Sequence, residues 1–133
     1  WITSQNQLTF SYLEQLERRP VLRKRLSELW NYERFGLPVK RGDQYFYTHN
    51  DGLQNQSVLH VADSLDGESR VLLDPNQLSE EGTVALASWR PSPDGKLLAF
   101  GLAADGSDWR EWRVLHVHDG EMAADTGRAR TGA

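Results

Sequence analysis

Residues 72–112 read LLDPNQLSEEGTVALASWRPSPDGKLLAFGLAADGSDWREW, and their punctuation decides the fold. A short apolar run ends at Asp74-Pro75, where proline lacks the backbone donor that strand pairing needs. A polar stretch follows, then the apolar run Val84–Arg90, the turn Pro93-Asp94-Gly95 and a second apolar run, Lys96–Leu102. Proline presets φ early in a turn and glycine accepts a positive φ late in it. Pro-Asp-Gly between two such runs therefore predicts an antiparallel hairpin. Asp105-Gly106 leads into a third run, Arg110–Val117, which closes at Asp119-Gly120.

The same pattern lies upstream. Gln44–Thr48, Ser57–Ala62 and Arg70–Leu73 are short runs rich in aromatic and β-branched residues, divided by Asn50-Asp51-Gly52 and Asp66-Gly67. Aligned, the two stretches repeat. Gly42, Val58-Leu59-His60-Val61 and Asp66-Gly67-Glu68 return as Gly95, Val114-Leu115-His116-Val117 and Asp119-Gly120-Glu121, at offsets of 53, 56 and 53 residues. A period of this size with several short strands per unit predicts β-propeller blades, here an incomplete set. Ala123–Ala133 (AADTGRARTGA) contains no large apolar residue and no strand signal where the repeat asks for one. It is expected to be an atypical tail, disordered or out of frame.

The first 34 residues follow a helical period instead. Leu8, Tyr12, Leu13 and Leu16 share one face, with Glu14, Gln15 and Glu17 on the other. Pro20 cannot continue that helix but can open the next at its first position. Val21, Leu22, Leu26, Leu29 and Trp30 then form a second stripe, with Arg23, Lys24, Arg25 and Glu28 facing out. The expected class is α+β by content and mainly β: two N-terminal helices (residues 1–35), propeller blades (36–122) and the tail (123–133).

Composition narrows the function. The chain is 38% hydrophobic and 26% charged, with a net charge of −4. A mildly acidic balance offers no electrostatic attraction to nucleic acid or anionic membrane, so neither is expected as a partner. Without cysteine there are no disulfides and no thiolate metal sites, which fits a reducing compartment. No apolar run approaches the roughly 18 residues of a membrane span. The chain opens at Trp1 within helix-like sequence and shows no signal peptide, so it is read as a segment of a longer protein, with cytoplasm and periplasm both left open.

Several phrases, in order, resemble the prolyl oligopeptidases. They are Gln5-Asn6 with Tyr12-Leu13, Leu29-Trp30-Asn31-Tyr32, Gly42 with Tyr45-Phe46-Tyr47, and Gly52-Leu53-Gln54-Asn55-Gln56. Asp63-Ser64-Leu65, Leu73-Asp74-Pro75-Asn76, Gly82-Thr83-Val84-Ala85-Leu86, Ser92-Pro93-Asp94-Gly95 and Gly106-Ser107-Asp108-Trp109 continue the series. The similarity covers about Trp1 to Glu121, and the Gly-Leu-Gln-Asn-Gln and Leu-Asp-Pro-Asn phrases are its most specific parts.

The resemblance implies a serine peptidase that cuts short peptides after proline. In that family a seven-bladed propeller is paired with a C-terminal α/β-hydrolase domain, and N-terminal helices wrap onto the latter. Trp1 to about Phe35 would then be those helices, residues near Pro38 to Asp74 the first blade, and residues from Gly82 the second. The propeller would gate access to the active site. The implied partners are short proline-containing peptides, bound through the hydrolase domain, and that domain itself.

The resemblance also implies that the catalytic Ser, Asp and His lie downstream. No Gly-x-Ser-x-Gly occurs in these residues, and Ser64, Ser92 and Ser107 lack the flanking glycines that a strained nucleophile turn requires. No catalytic, cofactor-binding or metal-binding residue is therefore assigned, and no cofactor is expected.

Other residues invite chemistry and are read blandly. His60 and His116 hold equivalent places in the repeat, which suggests strand packing. His116 and His118, two apart on a strand, would share a face as a metal pair does, with Asp119 adjacent; no third ligand has convincing spacing. Asp105, Asp108 and Glu111 with Trp109 and Trp112 would be a solvated turn or a domain-interface loop. The rival to the peptidase reading is a standalone, non-catalytic β-rich interaction module.

Overall fold

Two helices open the chain: α1 (Ile2–Glu14) and α2 (Arg19–Trp30), the latter with Pro20 in its first turn as its missing donor allows. Neither buries a residue, and Leu22, Leu26 and Trp30 of α2 stand more than half exposed. The computed structural model describes residues 1–104 and 106–130, in two units divided between Tyr32 and Glu33.

The second unit is two antiparallel sheets. In the first, β1 (Arg34–Phe35) and β2 (Val39–Arg41) lie end to end along one edge of β3 (Gln44–Asn50). β4 (Val58–Ala62) and β5 (Ser69–Leu73) follow in order. Between β1 and β2, the Gly36 amide donates to the Thr48 carbonyl at 2.8 Å, so the interrupted edge behaves as one strand. The domain boundary drawn after residue 35 therefore moves. Arg34 and Phe35 pair with Asn50 and His49 and belong to the sheet, a two-residue strand too short for any period to reveal.

A 3₁₀ turn (Pro75–Gln77) leads to the second sheet, β6 (Val84–Pro91), β7 (Leu97–Ala104), β8 (Trp109–His116) and β9 (Met122–Arg130), in that order. Each sheet is thus a four-stranded meander, the unit of a propeller blade. Here the expectation for the tail fails: β9 pairs with β8 from Leu115↔Met122 to Trp109↔Arg130. Backbone groups make the ladder, so a run of Ala, Thr, Gly and Arg can complete it without the apolar side chains that signal a strand. Residues 131–133 lie outside the described part.

The sheets share one core. Phe46, Leu59 and Val61 from the first pack with Leu98, Phe100, Leu102 and Leu115 from the second, and Phe46, Leu59, Leu98, Phe100 and Leu115 are fully buried. Alternation along each strand puts these residues on the facing sides, and the registers Phe46↔Val61 and Leu98↔Leu115 align them across strands.

That arrangement corrects the repeat. Arg113 stands opposite Phe100 as His60 stands opposite Tyr47, each 53 residues later, so His60 is equivalent to Arg113 and not to His116. The copied Val-Leu-His-Val lies at an offset of 56, out of phase by an odd number. Leu59 therefore faces the second sheet while Leu115 faces the first, because one odd step along a strand reverses the side.

Candidate functional site

The three serines weighed as nucleophiles are turn residues. The Ser92 hydroxyl donates to Asp94 Oδ1 at 2.6 Å and accepts from the Leu97 amide at 3.0 Å, which closes the hairpin turn. Ser107 Oγ accepts from the Trp109 amide, and the Ser64 carbonyl accepts from the Gly67 amide. A serine–histidine contact does exist, Ser69 Oγ to His60 Nδ1 at 3.3 Å. Ser69 is the exposed first residue of β5 rather than part of a strained turn between strand and helix, so nothing there raises it as a nucleophile.

The paired histidines do not gather a ligand set. His118 Nδ1 lies 3.5 Å from Asp119 Oδ2, while His116 ends β8. Among the described residues no three His, Cys, Asp or Glu side chains converge on a point that could hold a metal. Asp119 is held below the usual carboxylate range first by the Glu121 amide, which donates to Oδ1 at 2.9 Å. Its role is to cap the β8–β9 turn.

The acidic loop disperses as well. Asp105 lies outside the described residues. Glu111 Oε1 accepts from Arg113 Nε at 2.6 Å, and the Arg128 guanidinium stands 5.4 Å from the centroid of Trp109. Trp112, three residues on and so on the opposite face, covers Gly101, where an added Cβ would come 3.4 Å from the indole.

The two most specific phrases meet in space. The Gln56 amide donates to Asn76 Oδ1 and Asn76 Nδ2 returns a bond to the Gln56 carbonyl, both at 2.9 Å. Asp74 caps the 3₁₀ turn by accepting from the Asn76 amide at 3.0 Å and from Gln77 Nε2 at 2.9 Å. Burial pushes the Asp74 carboxyl up, but these donors outweigh it and hold it below the usual range. Both phrases thus lock the connection that carries the chain from one blade to the next. Asn50, buried, does the same for the β3–β4 loop: its Oδ1 accepts from Arg34 Nη2 and the Gly52 amide, and its Nδ2 donates to the Gln54 carbonyl.

One cluster escaped sequence reasoning. On the face of the first sheet turned away from the second, Phe35 stacks on His49 at 4.5 Å, Tyr47 stacks on His60 at 5.6 Å, and the two imidazoles meet edge to face at 5.5 Å. Burial, then the charge of His49, pushes His60 below its ordinary range, opposed by Asp74. The available signal was the alternation Tyr45, Tyr47, His49 along one strand.

A scaffold of packed blades is what this geometry defines: an N-terminal part of a β-propeller, with its distinctive polar residues spent on loops and turns. Comparison with known proteins agrees. The family model described as the prolyl oligopeptidase N-terminal β-propeller domain matches residues 1–131. The chain belongs to the prolyl oligopeptidases, within that domain.

Among curated relatives, the prolyl endopeptidase of Elizabethkingia meningoseptica is 38% identical over 126 residues, 95% of this chain and 18% of the relative. That of Dictyostelium discoideum is 30% identical, over 88% of this chain and 17% of its own length. A prolyl endopeptidase solved in a study of inter-domain dynamics in catalysis and specificity superimposes with a TM-score of 0.88 at 31% identity, over 95% of this chain and 19% of that one. Prolyl oligopeptidase B of Galerina marginata, bound to a 35mer hydrolysis and macrocyclization substrate, gives 0.82 at 27% identity, over 96% and 21%. The chain thus spans under a fifth of the length of the curated relatives named here.

Proposed function

We propose that these residues are the N-terminal helices and first two propeller blades of a serine-type prolyl endopeptidase that cleaves short peptides after proline. In that reading the blades form part of a shell that keeps folded proteins from the active site. The nucleophile, its histidine and its aspartate come from a hydrolase domain, and the exposed stripe of α2 is where that domain packs. The observation that carries the reading is the match across residues 1–131 to the propeller domain, together with polar motifs committed to blade connections rather than to chemistry.

The segment by itself is inactive in this reading, because a serine needs both a base to take its proton and donors aimed at the oxyanion. The test is hydrolysis of a chromogenic Gly-Pro amide by the purified 133-residue chain and by the intact natural chain. Activity is expected only in the latter and is expected to be blocked by a serine-directed inhibitor. Inhibitor-sensitive turnover by the 133 residues would overturn the assignment of chemistry to another domain.

A further inference from the structure

The ring cluster on the outer face of the first sheet brings two imidazoles into contact, and only one of them is bonded to a carboxylate. Glu33 Oε1 lies 2.8 Å from Nε2 of His49. His60 touches a hydroxyl instead, Ser69 Oγ, with one face of its ring against Tyr47. The other groups that act on it are His49 from β3 and Asp74 beyond β5, whose carboxylate already accepts from Asn76 and Gln77.

We propose that Phe35, His49, His60 and Tyr47 form a proton-operated element of the first blade, closed while His60 is neutral and loosened when both imidazoles are charged. Two imidazoliums with centroids 5.5 Å apart repel, and the attraction of Asp74, which acts on His60 only through space, is outweighed. The direction follows from the depressed affinity of His60 for its proton. The fold favours the neutral ring, so the stabilisation is complete above the unfolded-state value near 6.5 and is lost as pH falls below it. The equivalent cross-strand pair in the second blade is Phe100 with Arg113, with no imidazole at either place, so the response is confined to the first sheet. Peptidase activity plays no part in the argument or in its readout.

The experiment is amide hydrogen exchange by mass spectrometry on the intact natural chain at pH 7.5, 6.5 and 5.5, corrected for intrinsic rates. Protection of the peptide spanning residues 44–62 is expected to fall about three- to tenfold across that range, with residues 97–116 unchanged. His60→Gln is expected to abolish the fall, and His49→Gln to reduce it. Flat protection in the wild type, or an equal fall in H60Q, overturns the proposal. Should H60Q not fold, the titration of the His60 imidazole by NMR in the wild type and in His49→Gln decides it: a midpoint below about 6.5 that rises in H49Q upholds the proposal, and one at or above about 6.5, or unchanged in H49Q, overturns it.

Discussion

Gly42 and Gly95, 53 residues apart in the sequence repeat, lie against each other where the two blades meet. The Gly42 amide donates to the Pro93 carbonyl at 3.2 Å. A Cβ on Gly42 would fall 2.5 Å from the Asp94 carbonyl oxygen, and one on Gly95 would fall 2.7 Å from that of Arg41. The residue that recurs in each blade for its turn also lets consecutive turns touch.

Gly42→Ala and Gly95→Ala should therefore each destabilise the fold by about 2–4 kcal/mol. Both adopt positive φ, 55° and 74°, which costs an alanine about 1–2 kcal/mol, and the methyl must also displace backbone. Gly120→Ala is the control: its φ is 75° but nothing lies within 4 Å, so only the conformational cost remains. Urea unfolding of the three variants measures the difference, and equal losses would refute the contact's importance.

Asn76→Ala should cost about 1–3 kcal/mol, since it leaves the Gln56 amide and carbonyl without their partners in a partly buried loop. Chemical denaturation reads the loss. A change within about 0.5 kcal/mol, as for an unremarkable surface position, would show that water replaces the pair.

Phe100→Ala should cost about 3–5 kcal/mol through lost burial and a cavity between the sheets, enough to unfold a domain of ordinary stability. Leu97→Ala, three residues away along the same strand and facing out at 39% exposure, should cost less than about 1 kcal/mol. Circular dichroism melts distinguish the two.

Acid should weaken the blade connection through Asp74. Its carboxyl is depressed in the folded state by Asn76 and Gln77 against an opposing push from burial, so the stabilisation is present above the unfolded value near 3.8 and disappears as pH falls through the folded value. Stability measured from pH 5 to pH 3 is expected to fall less steeply in Asp74→Asn than in the wild type. Parallel curves would remove Asp74 from the account.

The 133-residue chain should self-associate in solution. Leu22, Leu26 and Trp30 form an exposed apolar stripe on α2, and β9 presents an edge with no partner strand among the described residues. Sedimentation velocity should show species larger than a monomer, reduced by the double change Leu22→Glu and Leu26→Glu. A single monomeric species in the wild type contradicts this.

Much of this molecule was legible from local chemistry. Pro20, the Pro93-Asp94-Gly95 turn and the alternating runs Gln44–Thr48 and Lys96–Leu102 encode their conformations within a few residues, because sterics and burial period act locally. The phrases around Gln56 and Asn76 carried the family, although their reciprocal bonds join positions 20 apart and could not be read from spacing.

Three features were settled only by tertiary structure. β9 forms because β8 offers a ladder of backbone partners to a run with no strand signal of its own. Leu59 and Leu115 face opposite ways despite identical neighbours, since pairing register and not local sequence chooses a strand's side. His60 meets His49 across strands, and that contact is what turns two ordinary histidines into a coupled pair. Local sequence placed the helices, the turns and most strands from β2 to β8; β1, β9 and the question of which residues touch were decided by packing, because contact energies depend on neighbours that the chain brings together only once it has folded.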